Sequence, residues 1–272
     1  MRFARTFVLA FPSFLVAFLT LSLEGSIFAQ QTSTSAPQSS PQALTLLQQS
    51  LGAMAPTPPA DSTASGSVTI TAGSETAHGT VTVSTKGNTE SYIQFQMSNA
   101  TWSVIFANGQ ANRVESTVST ALPLELAASS QCLYFPQPYL LSLLTNPDMS
   151  LQFIGQESLA SGPTNHIRAQ NTFHSSPDYQ FLSEFTIVDI WLDASSALPV
   201  KISMIRRYGG GSSPKIPISF AYSNYQTVSG VRYPFTIQES VNGTPWATTT
   251  IQSVVFNTGL TDANFPILQG SN

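Results

Sequence analysis

Hydrophobic and polar positions change period several times along this chain, and each change marks a different kind of segment. Phe7 to Leu23 is an apolar run broken only by Pro12, Ser13, Thr20 and Ser22. Arg2 and Arg5 precede it, and Glu24-Gly25-Ser26 and Ile27-Phe28-Ala29 follow. A short basic start, an apolar middle and a small-residue exit predict a secretory signal over 1–29, cleaved after Ala29. An uncleaved anchor is the alternative, because the run approaches the roughly 18–20 residues that span a bilayer. A lipid anchor does not fit: the single Cys, Cys132, lies far from the exit. Gln30 to Pro41 has no apolar period and is rich in Ser, Thr, Gln and Pro, which predicts a disordered tether.

From residue 42 the pattern becomes that of a folded domain, predicted to be single and to run over 42–268. Leu44, Leu47, Leu51 and Met54 recur on one face of a 3.6-residue period, and Ser40-Pro41 supplies a cap and a first-turn proline. Ala55-Pro56-Thr57-Pro58-Pro59 ends that helix. The period then falls to two. Ser67–Thr71 and Thr80–Ser84 read as strands joined through Gly73 to Gly79, and Tyr92–Met97 and Thr101–Phe106 as a second pair turning at Asn99-Ala100. Leu122 to Leu144 is apolar without alternation. Pro136 to Pro147, carrying Tyr139, Leu140, Leu141, Leu143 and Leu144, suits a short buried helix plugging one face of a curved sheet.

Alternation resumes over Ser150–Ile154, Asn165–Gln170, Thr186–Asp193, Pro199–Arg207, Ile216–Tyr222, Arg232–Ser240 and Trp246–Phe256. The whole is about ten strands and two helices, paired mostly between neighbours in sequence. Tyr208-Gly209-Gly210-Gly211 reads as a hairpin tip and not a phosphate loop, because no helix pattern follows it.

Charged residues are only 9% of the chain and the net charge is −4. Ser, Thr, Gln and Asn must therefore cover the surface, and the basic footprint of a nucleic-acid binder is missing. With a single Cys, no intramolecular disulfide can form, and Cys132 beside Leu133-Tyr134-Phe135 reads as a small buried hydrophobe.

Catalytic patterns are weak. His78, His166 and His174 lack metal-ligand spacing; His78 falls in a turn, and His166 takes a structural, hydrogen-bonded place in a strand. His174-Ser175-Ser176-Pro177-Asp178 holds the residue types of a hydrolytic triad, but crowded into one loop instead of drawn from separate segments. Asp189 and Asp193 flank Trp191 on one strand face, as a glycosidase pair would. A turn-capping Asp193 and a solvated Asp189 are the simpler assignment. Arg206-Arg207 reads as edge-strand solubility in preference to headgroup binding.

The C-terminal third carries a resemblance. Ile190-Trp191-Leu192-Asp193 leads to Leu198-Pro199-Val200-Lys201-Ile202, then to Tyr222-Ser223-Asn224-Tyr225 and Gly230-Val231-Arg232-Tyr233-Pro234. Ile251-Gln252-Ser253-Val254-Val255-Phe256-Asn257 and Phe265 close the series. This order resembles exported bacterial proteins of the outer-membrane lipoprotein carrier (LolA-like) superfamily. The resemblance implies an α+β, mainly β fold: a strongly curved antiparallel sheet, an unclosed barrel, with a few helices covering its concave face. It also implies a space between sheet and helices that accepts acyl chains. The Leu122–Pro147 and Gly162–Phe185 stretches are additions to that compact plan, and Arg113 is the sole Arg of the early strands.

The expectation is a non-catalytic periplasmic or envelope protein, without cofactor or metal, that binds or carries an acyl lipid or lipidated protein and touches membranes peripherally or not at all. Leu47, Leu51, Trp102, Phe106, Phe135, Tyr139, Leu140, Leu141 and Leu144 are its expected cavity lining. The alternative is an interaction module of the envelope with the same fold, in which these side chains fill the core.

Overall fold

Helix α1 (Pro41–Met54) buries Ala43, Leu47, Leu51 and Met54 along one stripe. Its first turn is closed by the Ser40 hydroxyl, which accepts from the Ala43 amide. The computed structural model describes residues 38–129, 133–207 and 214–267. The expected signal and Cys132 lie outside the described residues, as do residues 30–37 of the tether and the Gly209–Gly211 run. The last tether residues are held in place: the Ser40 amide donates to the Leu151 carbonyl and the Ser39 hydroxyl to that of Met149.

Thirteen strands follow, more than the alternation predicts. They are β1 (Asp61–Ala72), β2 (Glu75–Lys86), β3 (Glu90–Met97), β4 (Thr101–Ala107), β5 (Gln110–Glu115), β6 (Val118–Ala121), β7 (Met149–Leu159) and β8 (Gly162–Asn171). Beyond them come β9 (Val188–Asp193), β10 (Pro199–Arg206), β11 (Ile216–Val228), β12 (Val231–Val241) and β13 (Thr244–Phe256). All belong to one antiparallel sheet ordered β6-β5-β4-β3-β2-β1-β13-β12-β11-β10-β9-β8-β7, whose ends do not pair among the described residues. Each hairpin thus joins sequence neighbours, and one long pairing, β1 on β13, brings the two halves of the chain together.

Curvature has identifiable sources. The register of β1 on β13 shifts at Ser65/Gly66, and that of β12 on β13 at Glu239/Ser240. Such bulges bend the strand that carries them. At the first of them the backbones come so close that a Cβ on Gly66 would lie 2.2 Å from the Thr250 carbonyl oxygen, so only glycine fits.

The concave side is covered by α1, by α2 (Leu124–Ser129) and by α3 (Pro136–Thr145). Helix α3 packs on α1, while α2 reaches from β5 across to β10 and to the 3₁₀ turn Pro177–Phe185. The prolines at Pro136 and Pro147 bracket α3 as the sequence predicts. Three differences from the sequence reading have physical reasons. The Gly73–Gly79 connection is a tight turn, because Glu75 to Gly79 pair with the end of β1 and Gly79 also pairs with Met97 of β3. His78 is therefore in β2, its Nδ1 at 3.1 Å from the Thr69 hydroxyl. Strands β5 and β6 hide behind Asn112, Arg113 and Glu115, polar residues whose backbone is nevertheless laddered.

The C-terminal segment crosses the back of the sheet and is fastened at Asp61. This carboxylate, 5% exposed, accepts from the Thr258 amide and hydroxyl and from the amides of Gly259 and Leu260. Phe265 then packs against Ile105 and Ala107 on that outer face. Burial raises the Asp61 pKa, but the Thr258, Gly259 and Leu260 donors together hold it below its ordinary 3.8. Asp61→Ala is expected to cost about 2–3 kcal/mol in chemical denaturation, the worth of hydrogen bonds to a charged group. A depressed carboxylate stabilises above its unfolded pKa, so the gap is full above pH 3.8 and closes as the pH falls further.

Candidate functional site

Period-two alternation sends Ile93 and Phe95 of β3, and Trp102, Val104 and Phe106 of β4, toward the concave side. Facing them are Arg206 of β10, Ile216, Ile218 and Phe220 of β11, and Glu239 and Val241 of β12. Between these two walls lies a cleft of about 470 Å³, roofed by Leu126 of α2 and floored by Leu133 and Tyr134. The volume falls within the range of small-molecule sites, which are mostly apolar with a few placed polar groups.

The floor is held rigidly. Trp102 stacks on Phe95 at 5.2 Å, and Tyr134 meets Phe95 and Phe220 edge-on at 5.9 and 5.8 Å. Tyr222 donates to the Leu133 carbonyl at 2.8 Å, which ties this crossing to β11. The bulge beside Glu239 leaves Trp246 as an extra residue of β13, and its ring joins the cavity wall.

Three polar groups interrupt the apolar walls. Glu239 is 8% exposed and accepts from the Tyr134 hydroxyl at 3.2 Å. Arg206 faces the cavity with its Nε–H buried and unbonded among the described residues. Arg113 stands on the β5 side and is paired with Glu115. Burial pushes the Glu239 carboxyl up, against the opposing Arg206 charge and Tyr134 bond. An acid with a raised folded pKa stabilises below its unfolded value of 4.5 and loses that contribution as the pH rises through the folded one. Glu239→Gln is accordingly expected to raise the Tm at pH 8 and leave it unchanged at pH 4.

The expected lining residues separate into groups. Trp102 and Phe106 line this cavity. Tyr139 lines a second, more polar space of about 370 Å³ with Asn88, Thr145 and Asn171. Leu47, Leu51, Phe135 and Leu140 do not line either cavity: they are 0–9% exposed and belong to the filled core beneath α1 and α3. Leu141 and Leu144 are half-buried against that same core. The helices that the sequence offered as cavity walls thus seal one part of the concave face, and the cavity opens in the other.

Arg206, Glu239 and Tyr134 were missed, although a signal existed. Ile202, Met204 and Arg206 share one face of β10, as Phe235, Ile237 and Glu239 do on β12. A charge in register with an apolar face points inward. The edge-strand assignment of Arg206 fails because β10 is flanked by β9 and β11.

On the outer face, the other candidates form structural links. His166 lies 2.7 Å from Glu157 and 2.8 Å from Asp189, and its ring stacks on Trp191 at 4.4 Å. Asp189 also takes two bonds from Arg168, so it is paired and not simply solvated as expected. Hydrogen bonds from the Trp191 indole and from His166 hold Glu157 below the usual carboxylate value. Asp193 caps its turn as expected, and the Ser195 hydroxyl and Ser196 amide hold it at about 2. Ser175 donates to Asp148, so the residues of the His174 loop do not assemble as a triad. Among the described residues no cluster of His, Cys, Asp and Glu has the arrangement of a metal site, and no helix is long and apolar enough to cross a membrane.

No family profile and no curated protein matches the chain. Solved structures do. A LolA superfamily protein from Nitrosomonas europaea is 15% identical with a TM-score of 0.56, over 83% of this chain and 97% of its own. A putative outer membrane lipoprotein-sorting protein domain from Vibrio parahaemolyticus is 11% identical with the same TM-score, over 82% of this chain and 96% of its own. The fold is therefore LolA-like: mainly β, one curved antiparallel sheet left unclosed, with a few helices on its concave side.

Proposed function

We propose that this chain is a non-enzymatic protein of the bacterial envelope that binds and carries an acyl chain, or a comparably apolar ligand, in the cavity roofed by α2. The observation that supports it most is the cleft itself: about 470 Å³ walled by Ile93, Val104, Phe106, Ile218 and Phe220 on rigid strands. Burying a methylene is worth about 0.8 kcal/mol, so about ten of them supply the ~8 kcal/mol of micromolar binding before association costs are met. The apolar leader Phe7–Leu23 supports export. The likeness in fold to a lipoprotein-sorting domain supports the periplasm as the compartment and a lipid or lipidated protein as the cargo.

A second reading, an interaction module of the envelope, draws on the filled core under α1 and α3. Fluorescence decides between them. Trp102 and Trp246 line the cavity, so a polyene fatty acid bound there should quench their emission by energy transfer and saturate at one molecule per chain. No saturable quenching would leave the interaction module as the reading.

A further inference from the structure

We propose that the cavity selects an apolar chain ending in a single carboxylate, which Arg206 receives with Glu239 and Tyr134 beside it. This rests on the acyl reading of the cavity and names the chemistry of its ligand's polar end.

Arg206 is the cation of the cavity whose Nε–H is open. It shares the inward face of β10 with the core residues Ile202 and Met204 and lines the cleft at the end of that strand, and its Nε–H has no acceptor among the described residues. A buried charged donor without a partner is costly, and native proteins keep such a group where something else comes to meet it. Glu239 feels the Arg206 charge, yet the two form no ion pair, and the only side chain bonded to the Glu239 carboxylate among the described residues is Tyr134. Glu115 occupies the other cavity cation, Arg113. One guanidinium edge is thus left open at the end of an apolar space.

The neighbouring carboxyl sets the ligand's charge. A cationic headgroup would meet Arg206 at close range in a medium of low polarity. A dianion would meet Glu239 as a like charge. A monocarboxylate accepts from the Arg206 Nε–H, and the buried Glu239 carboxyl can share one proton with it while keeping its bond from Tyr134. The alkyl chain then runs over the Phe95–Trp102–Tyr134–Phe220 floor toward Val104 and Phe106.

Calorimetric titration of the exported chain with dodecanoate, 1-dodecanol and dodecyl phosphate tests this. Dodecanoate is expected to bind on the order of tenfold to a hundredfold tighter than dodecanol, the worth of a hydrogen bond to a charged group. In Arg206→Met the acid and the alcohol are expected to bind alike; should that variant fold poorly, the wild-type comparison stands by itself. Equal affinities for acid and alcohol in the wild type would overturn the carboxylate and leave the acyl site intact. Tighter binding of dodecyl phosphate than of dodecanoate would overturn it in favour of a phosphate headgroup. Binding of none of the three would instead defeat the acyl reading on which the proposal rests.

Discussion

Replacing Phe135 by Ala will lower the stability of this protein by about 3–5 kcal/mol, the cost of emptying a closed aromatic site. Phe135 is fully buried and stacks on Tyr233 at 4.6 Å, with Phe256 at 6.1 Å on another side. It sits immediately before α3, so its ring joins that helix to β12 and β13 at the middle of the concave face. Neighbours fixed in a β-sheet cannot collapse into the space, and the full cavity term should appear. Urea unfolding measures it. A loss under about 1 kcal/mol would mean that the site is plastic and that the core beneath α3 is not closed. Ligand affinity, measured on the folded fraction, should scarcely change, because Phe135 is core and does not line the cavity.

Val104→Trp should do the reverse. Val104 is half-buried on the cavity face of β4, between Trp102 and Phe106. An indole projecting from that position occupies the space assigned to the ligand. Displacing about four methylenes of the chain forfeits ~3 kcal/mol, on the order of a hundredfold in affinity. The ring enters an open cleft and not a packed core, so the overpacking cost of a filled site should not appear. Fatty-acid titration and thermal melting, done together, separate the two effects. Binding retained at wild-type strength would place the ligand elsewhere, whereas a collapse in Tm would show that the cleft is narrower than its 470 Å³.

The chain announced its sheet more clearly than its site. Strands with Val, Ile and Thr at alternate positions, such as Thr80–Ser84 and Trp246–Phe256, are legible because one face is buried and the other solvated. Strands β5 and β6 were not, since Gln110, Arg113, Glu115 and Ser119 hide the alternation and backbone pairing alone defines them. The helix stripe of Leu47 and Leu51 is legible as an apolar face, and the structure packs it into the core beneath α1 and α3. Periodicity reports that a side chain leaves water but not whether anything packs against it. Curving of the sheet around a space depends on the pairing of β1 with β13, which joins residues almost two hundred positions apart in the sequence. That pairing brings no local signal. Arg206 and Glu239 are both legible as charges on apolar strand faces; the edge-strand reading of Arg206 fails because β10 lies inside the sheet, and Glu239 on β12 carries no motif that singles it out.

Native mass spectrometry of the chain exported through a bacterial periplasm shows whether the cavity holds an acyl ligand. The expected result is a stoichiometric adduct of the mass of an acyl compound, released by organic solvent and absent from Val104→Trp. A clean mass equal to that of the protein alone, with no uptake of added dodecanoate, would contradict it.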